Sequence, residues 1–249
     1  AYFEDADETG VLDDVDRGCL CELLASAPGL LHAHLFTPAA ASNPFDSDGP
    51  PPRLALQADF VDLPSLEAAI ASNGTFAALA MPDAWPSLAG TSVRHQAMLA
   101  RPFPVPSARH AHSPARTCSF LVHYPGDAAD LNAWLLHYLA HHPPLMAALP
   151  EVRAIEIFTR VDWCDSLPWQ RVKYFQRNKL VFDTAAAMTA ALASPALDAL
   201  RADFRRFPPF TGGNLHYPMH TQVVMPRSTV PAMAPRTGST RAETDRDVG

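Results

Sequence analysis

The chain has 249 residues, 48% apolar and 18% charged, which is enough to bury a core and too little charge for a disordered chain. The net charge is −7, and Lys173 and Lys179 are the only lysines, so no basic stripe marks a nucleic-acid partner. No apolar run approaches the ~20 residues of a membrane span, and the four cysteines (Cys19, Cys21, Cys118, Cys164) form no CxxC pair. Neither a secretory signal, a structural zinc site nor a disulfide framework is indicated. Reduced thiols in a cytoplasmic protein without a membrane partner are the expectation.

The sequence repeats with an offset of 122. Tyr2 stands opposite Tyr124, Leu35-Phe36-Thr37 opposite Ile157-Phe158-Thr159, and Ile70-Ala71-Ser72 opposite Leu192-Ala193-Ser194. With one residue of slippage His95 meets His216. Two copies of one unit are expected, 1–105 and 117–225, joined by a proline-stiffened linker (106–116) and followed by a disordered tail (226–249). The offset carries the strand 118–124 back past Ala1, so further residues are expected upstream of Ala1.

The second copy is the more legible. Cys118–Tyr124 reads as a strand ended by Pro125-Gly126. Asp130 caps a helix in which Leu131, Trp134, Leu135, Tyr138 and Leu139 recur at helical spacing, and Pro143-Pro144 must distort it. Residues 153–161 and 174–182 are strands, rich in β-branched and aromatic side chains. Asp183-Thr184 opens an alanine-rich helix, Ser194-Pro195 another, and a last strand covers about 215–223. Strand, helix, strand, strand, helix, strand is the ferredoxin-like unit. One such unit leaves a sheet face bare. The fold class is therefore α+β, with two tandem units closing an intramolecular α+β barrel as a pseudo-dimer whose lumen suits a small molecule. The chain is monomeric in that sense or forms a homodimer.

The segment Trp134-Leu-Leu-His-Tyr138-Leu-Ala-His-His142-Pro-Pro144, followed by Leu149-Pro150, resembles the first-helix signature of the EthD family of dimeric α+β barrels. Tyr138, His142, Pro144 and Pro150 match that pattern residue by residue, and Pro218-Met-His220-Thr-Gln222 is similar in kind to its closing strand. The wider superfamily spans isomerases, cofactor-free monooxygenases, decarboxylases and haem enzymes, so the resemblance implies a fold and leaves the reaction open. In the first copy His142 becomes Leu20 and Tyr138 becomes Asp16, so only the second copy can carry the pair.

His142 and Tyr138 are neighbours on one helix face: a neutral imidazole as general base beside a phenol able to stabilise an oxyanion, with Trp134 as an aromatic wall. The opposing reading makes Trp134 and Tyr138 core and His142 a cap on carbonyls freed by the prolines. His216 and His220 share a strand face ~13 Å apart, too far to chelate one metal, and either line the lumen or face solvent. His32 and His34, and His110 and His112, lack a third ligand of suitable spacing, so no metal is expected. Glu156, Phe158 and Arg160 alternate with Ile155 and Ile157; the polar side should face the interior, where Arg177 either binds a carboxylate or enolate or closes a salt bridge. No GxGxxG, P-loop, GxSxG or HExxH motif is present, and no bound cofactor is expected. Two functions follow. The first is a lyase, isomerase or cofactor-free oxidoreductase of aromatic-compound catabolism, working by acid–base chemistry on an aromatic or polyketide-like molecule. The second is a non-catalytic barrel that binds such a compound for an oxygenase pathway.

Overall fold

A computed structural model describes residues 1–5, 10–41, 44, 48–81, 83–105 and 116–227; all but the first two residues of the tail, all but one residue of the linker, and with it His110 and His112, lie outside the described residues. In chain order the elements are β1 (Tyr2–Glu4), α1 (Asp14–Ala25), β2 (Leu30–Pro38), β3 (Leu54–Phe60), α2 (Leu63–Ala69), β4 (Ser92–His95) and β5 (Met98–Phe103). They continue with β6 (Arg116–Tyr124), α3 (Leu131–Met146), β7 (Ala154–Arg160), β8 (Gln170–Arg171), β9 (Gln176–Phe182), α4 (Ala185–Leu192), α5 (Ala196–Phe204) and β10 (Leu215–Val224). Among the described residues no helix is long and apolar enough to cross a membrane.

The strands form one sheet in the order β5-β7-β9-β6-β10-β2-β3-β1-β4-β8. The runs β7-β9-β6-β10 and β2-β3-β1-β4 follow the same permutation of chain order, and β10 joins them by pairing antiparallel with both β6 and β2. As a list of paired strands the sheet is open. Its β5 end pairs with β7 while β4 pairs with β1, although only Gln96 and Ala97 separate β4 from β5 in the chain.

Period-two alternation divides the sheet into two faces. On one, Phe120, Val122, Tyr124, Ile155, Ile157, Leu180 and Phe182 pack under α3, α4 and α5. Along the same face, Leu30, Ala33, Leu35, Leu54 and Leu56 pack under α1. The opposite face is mixed. Phe36, Ala55, Leu121, Tyr217 and Met219 make a small apolar cluster there, beside Glu156, Lys179 and Gln57.

Local signals behave as their chemistry requires. Asp130 caps α3 by accepting from the Ala133 amide at 2.9 Å, and Asp13 caps α1 through Asp16 at 2.7 Å. Pro143 and Pro144 do not end α3, which runs through them to Met146 without their two backbone donors. Ser194 does not cap α5; its hydroxyl turns back to the Ala191 carbonyl at 2.7 Å, and the helix starts at Ala196.

At the position that corresponds to His142 by the offset, Leu20 is fully buried among Leu24, Leu35 and Leu54. Leu20→Ala should lower the free energy of unfolding in urea by about 2–5 kcal/mol, the transfer cost of the side chain plus the cavity it leaves.

Candidate active site

The helix-side core beneath α3 contains a cavity of about 200 Å³. Phe120, Tyr124, Leu180, Leu197 and Leu200 are among its apolar wall, with His142, Asn178, Arg201, Arg205, Asn214 and His216 as its polar groups. α3 delivers His142 and α5 delivers its partner: the ring donates from Nδ1 to Asp203 Oδ2 at 2.8 Å. An ionised carboxylate can only accept, so the proton resides on Nδ1 and Nε2 is left as the acceptor. Asp203 is buried and also receives His137 Nε2 at 3.2 Å, so two imidazoles of one helix converge on one carboxylate. Burial pushes the His142 pKa below its ordinary value, opposed by the hydrogen bond and charge of Asp203.

His216 enters the same cavity from β10. Asp48 holds it twice, accepting from its amide at 2.9 Å and from its Nδ1, while the ring stacks on Phe120 at 5.4 Å. His220 does not join them. It is exposed in the middle of β10, between Cys118 of β6 on one side and Thr37 of β2 on the other.

Tyr138 and Trp134 belong to the core. Their rings stack at 4.8 Å inside an aromatic cluster with Tyr124, Phe175, Phe207 and Phe210, and both are fully buried. The Tyr138 hydroxyl accepts a hydrogen bond from Asn178, and burial raises its pKa. Its ring lies 4.9 Å from that of His142, yet Tyr138 does not line the cavity.

The remaining candidates lie on the opposite face. Glu156 pairs with the buried Lys179 at 3.0 Å, and Gln57 bridges them, accepting from Lys179 at 3.2 Å and donating to Glu156 at 3.2 Å. Phe158 and Arg177 line a second cavity of about 150 Å³, together with Tyr2, Phe36, Gln57 and Asp59. Arg177 is buried with its guanidinium 4.4 Å above the Tyr2 ring and 4.7 Å from that of Tyr174. Its Nε and Nη2 find no acceptor among the described residues. The structure therefore separates the candidates into two places: His142 and His216 on the helix side, and Glu156, Phe158 and Arg177 on the inner side.

Three carboxylates, Asp48, Asp59 and Asp203, were not anticipated from the sequence. Asp203 is the charged member of an apolar stripe on α5 (Leu197, Leu200, Phe204), and that break in pattern was its signal. Asp59 stands beside His32 and His34 through the antiparallel pairing of β2 and β3, a register that no same-strand spacing contains.

No protein-family model matches the chain, and no curated protein matches it. Among solved structures, an anthrone oxidase-like protein aligns over 90% of this chain and 90% of its own, with 12% identity and a TM-score of 0.57. An EthD family protein from Bacillus halodurans C-125 aligns over 39% of this chain and 95% of its own, with 19% identity and a TM-score of 0.32. A monooxygenase candidate from Lactobacillus acidophilus NCFM aligns over 87% and 92%, with 9% identity and a TM-score of 0.49. The likeness to the first is one of fold, a mixed α+β architecture of the ferredoxin-like kind.

Tyr138→Phe should cost about 1–3 kcal/mol in urea unfolding, because the buried Asn178 amide loses its acceptor. A large loss of rate at unchanged stability would instead make the phenol part of the chemistry. Acid should destabilise the fold through its buried neutral histidines. Burial lowers the pKa of His95 to about 4, and burial with the nearby Arg177 holds His123 well below its ordinary value. The unfolded chain takes up protons below about pH 6.5 that the folded chain refuses, so stability is full above that pH and falls below it. Urea melts at pH 7, 6 and 5 should show a decline approaching about 1.4 kcal/mol per pH unit for each such histidine. A flat profile would mean that these rings are protonated in the folded state.

Proposed function

We propose that the chain is a small-molecule enzyme in which His142 is the general base, acting on an aromatic or polyketide-like substrate in the helix-side cavity. The carrying observation is the 2.8 Å bond that fixes Nδ1 on Asp203 while the ring borders an apolar cavity of about 200 Å³. Nε2 takes a proton from an acidic C–H or O–H of the substrate, and the electron pair left behind moves onto a substrate oxygen. Asp203 stabilises the imidazolium so formed. Arg201 and Arg205, which line the same cavity, supply positive charge for the developing enolate or phenolate. The apolar wall excludes water and favours a flat, hydrophobic substrate. The fold shared with an anthrone oxidase-like protein supports a small-molecule enzyme of this kind.

The proposal includes the architecture. Residues 1–105 and 117–225 are two tandem ferredoxin-like units, the second bearing the site and the first closing a barrel around the inner cavity. The repeated strand permutation supports two units. Closure is supported by the run from β4 into β5, which pairs with β1 at one end and with β7 at the other.

A turnover screen with hydroxylated aromatic acids and enones tests the chemistry. His142→Ala should cost on the order of 10²- to 10⁴-fold in kcat/KM without loss of fold. The base must be neutral and burial lowers its pKa, so kcat/KM should rise with pH through a midpoint below 6.5 and then level off. Asp203→Asn removes the contribution that raises this pKa and should move the midpoint to lower pH. Normal turnover by His142→Ala would overturn the assignment; substrate binding with no turnover by the wild type would leave a binding barrel.

A further inference from the structure

We propose that His32, His34 and Asp59 form a binding site for one divalent first-row transition-metal ion, separate from the His142 cavity. One ligand nitrogen from each histidine and one carboxylate oxygen lie within 4.8 Å of one another. Asp59 Oδ2 is 3.3 Å from His32 Nε2 and 3.8 Å from His34 Nδ1. Around an ion with bonds of ~2.0–2.2 Å, ligand atoms stand ~3–4 Å apart, so small side-chain adjustments complete the set.

The backbone is shaped to present these groups. Leu30 pairs with Phe60 but His32 pairs with Asp59, so β2 carries one extra residue, Leu31, as a bulge. In a regular strand His32 would share a face with Leu30, which is buried in the core under α1. The bulge turns His32 to the other face, beside His34 and Asp59.

Bonding within the cluster is incomplete without a ligand. His34 Nδ1 is buried and has no hydrogen-bond partner among the described residues. Asp59 has no ion pair with a lysine or arginine among them, since Lys179 is engaged by Glu156. Gln57 donates to the same oxygen, Asp59 Oδ2, at 2.8 Å, which orients the carboxylate and leaves that oxygen a second lone pair for the ion. Two imidazoles and one carboxylate suit zinc, iron or cobalt rather than the oxygen-seeking magnesium or calcium. Three protein ligands leave positions for water or a small ligand, and Asp59 borders the inner cavity that admits one.

The test uses the full chain stripped with a chelator, titrated calorimetrically with Zn²⁺ and, as a spectroscopic probe, with Co²⁺. The expected result is one equivalent of each and a Co²⁺ spectrum without a thiolate charge-transfer band. His32→Ala and Asp59→Asn should each weaken binding at least about tenfold, since even supporting residues around a metal contribute ~10–100-fold. Should the metal-free melting temperature of Asp59→Asn show that it fails to fold, His32→Gln gives the same reading, because that ring is partly exposed. Absence of saturable binding, a thiolate band, or variants that bind as the wild type would each overturn the site. His142→Ala should bind the ion normally, so this result and that for the base are independent.

Discussion

A sheet strand has two faces, and in the central strands β6 and β9 nearly every residue on both is removed from water. Helices cover one face and bring the leucines, valines and aromatic rings with them. The other carries charge as well as apolar surface. Lys179, 1% exposed, is tolerated because Glu156 and Gln57 meet its ammonium directly. Most of what distinguishes the two cavities follows from this division. The helix-side cavity has apolar walls with a few fixed polar groups, whereas the inner cavity is bordered by Asp59, His95 and Arg177 as well as by aromatic rings.

The histidines show the same division. His142 and His216 each have a carboxylate on Nδ1, which sets the tautomer and the ring plane. His123 and His95 are buried without such a bond, and burial holds their pKa values down. The four rings differ less in exposure than in what the neighbouring element offers. A histidine four residues from a tyrosine is a weak indication of chemistry; the same ring fixed by an aspartate from another helix is a stronger one.

Contacts within an element were legible in the sequence. The cap at Asp130, the stripe of α3, the alternation of Glu156 and Phe158 with Ile155 and Ile157, and the strands of the second half all follow from spacing, and the structure has them in place. Contacts between elements were not. Tyr138 has helical adjacency to His142, but its hydroxyl is taken by Asn178 of β9, so the phenol is part of the core. His220 has the right parity on β10 and the wrong position along it. Asp203 and Asp59 depend on the packing of α5 against α3 and on a bulged register, neither of which is local information.

The hydrogen bond between Lys179 and Gln57 joins residues 122 apart, which is the repeat offset itself. Were the two halves identical separate chains, this position would face its own copy across a two-fold axis, and a lysine there would meet a lysine. Symmetry would forbid the pair. A continuous chain lifts that restriction, because the two positions evolve under separate codons: one can hold the charge and the other its acceptor. By the same offset Leu20 corresponds to His142, and it is fully buried. On the proposed reading of two joined units, asymmetry at their shared centre becomes possible, so that one unit would keep a polar cavity where its counterpart is filled by packing.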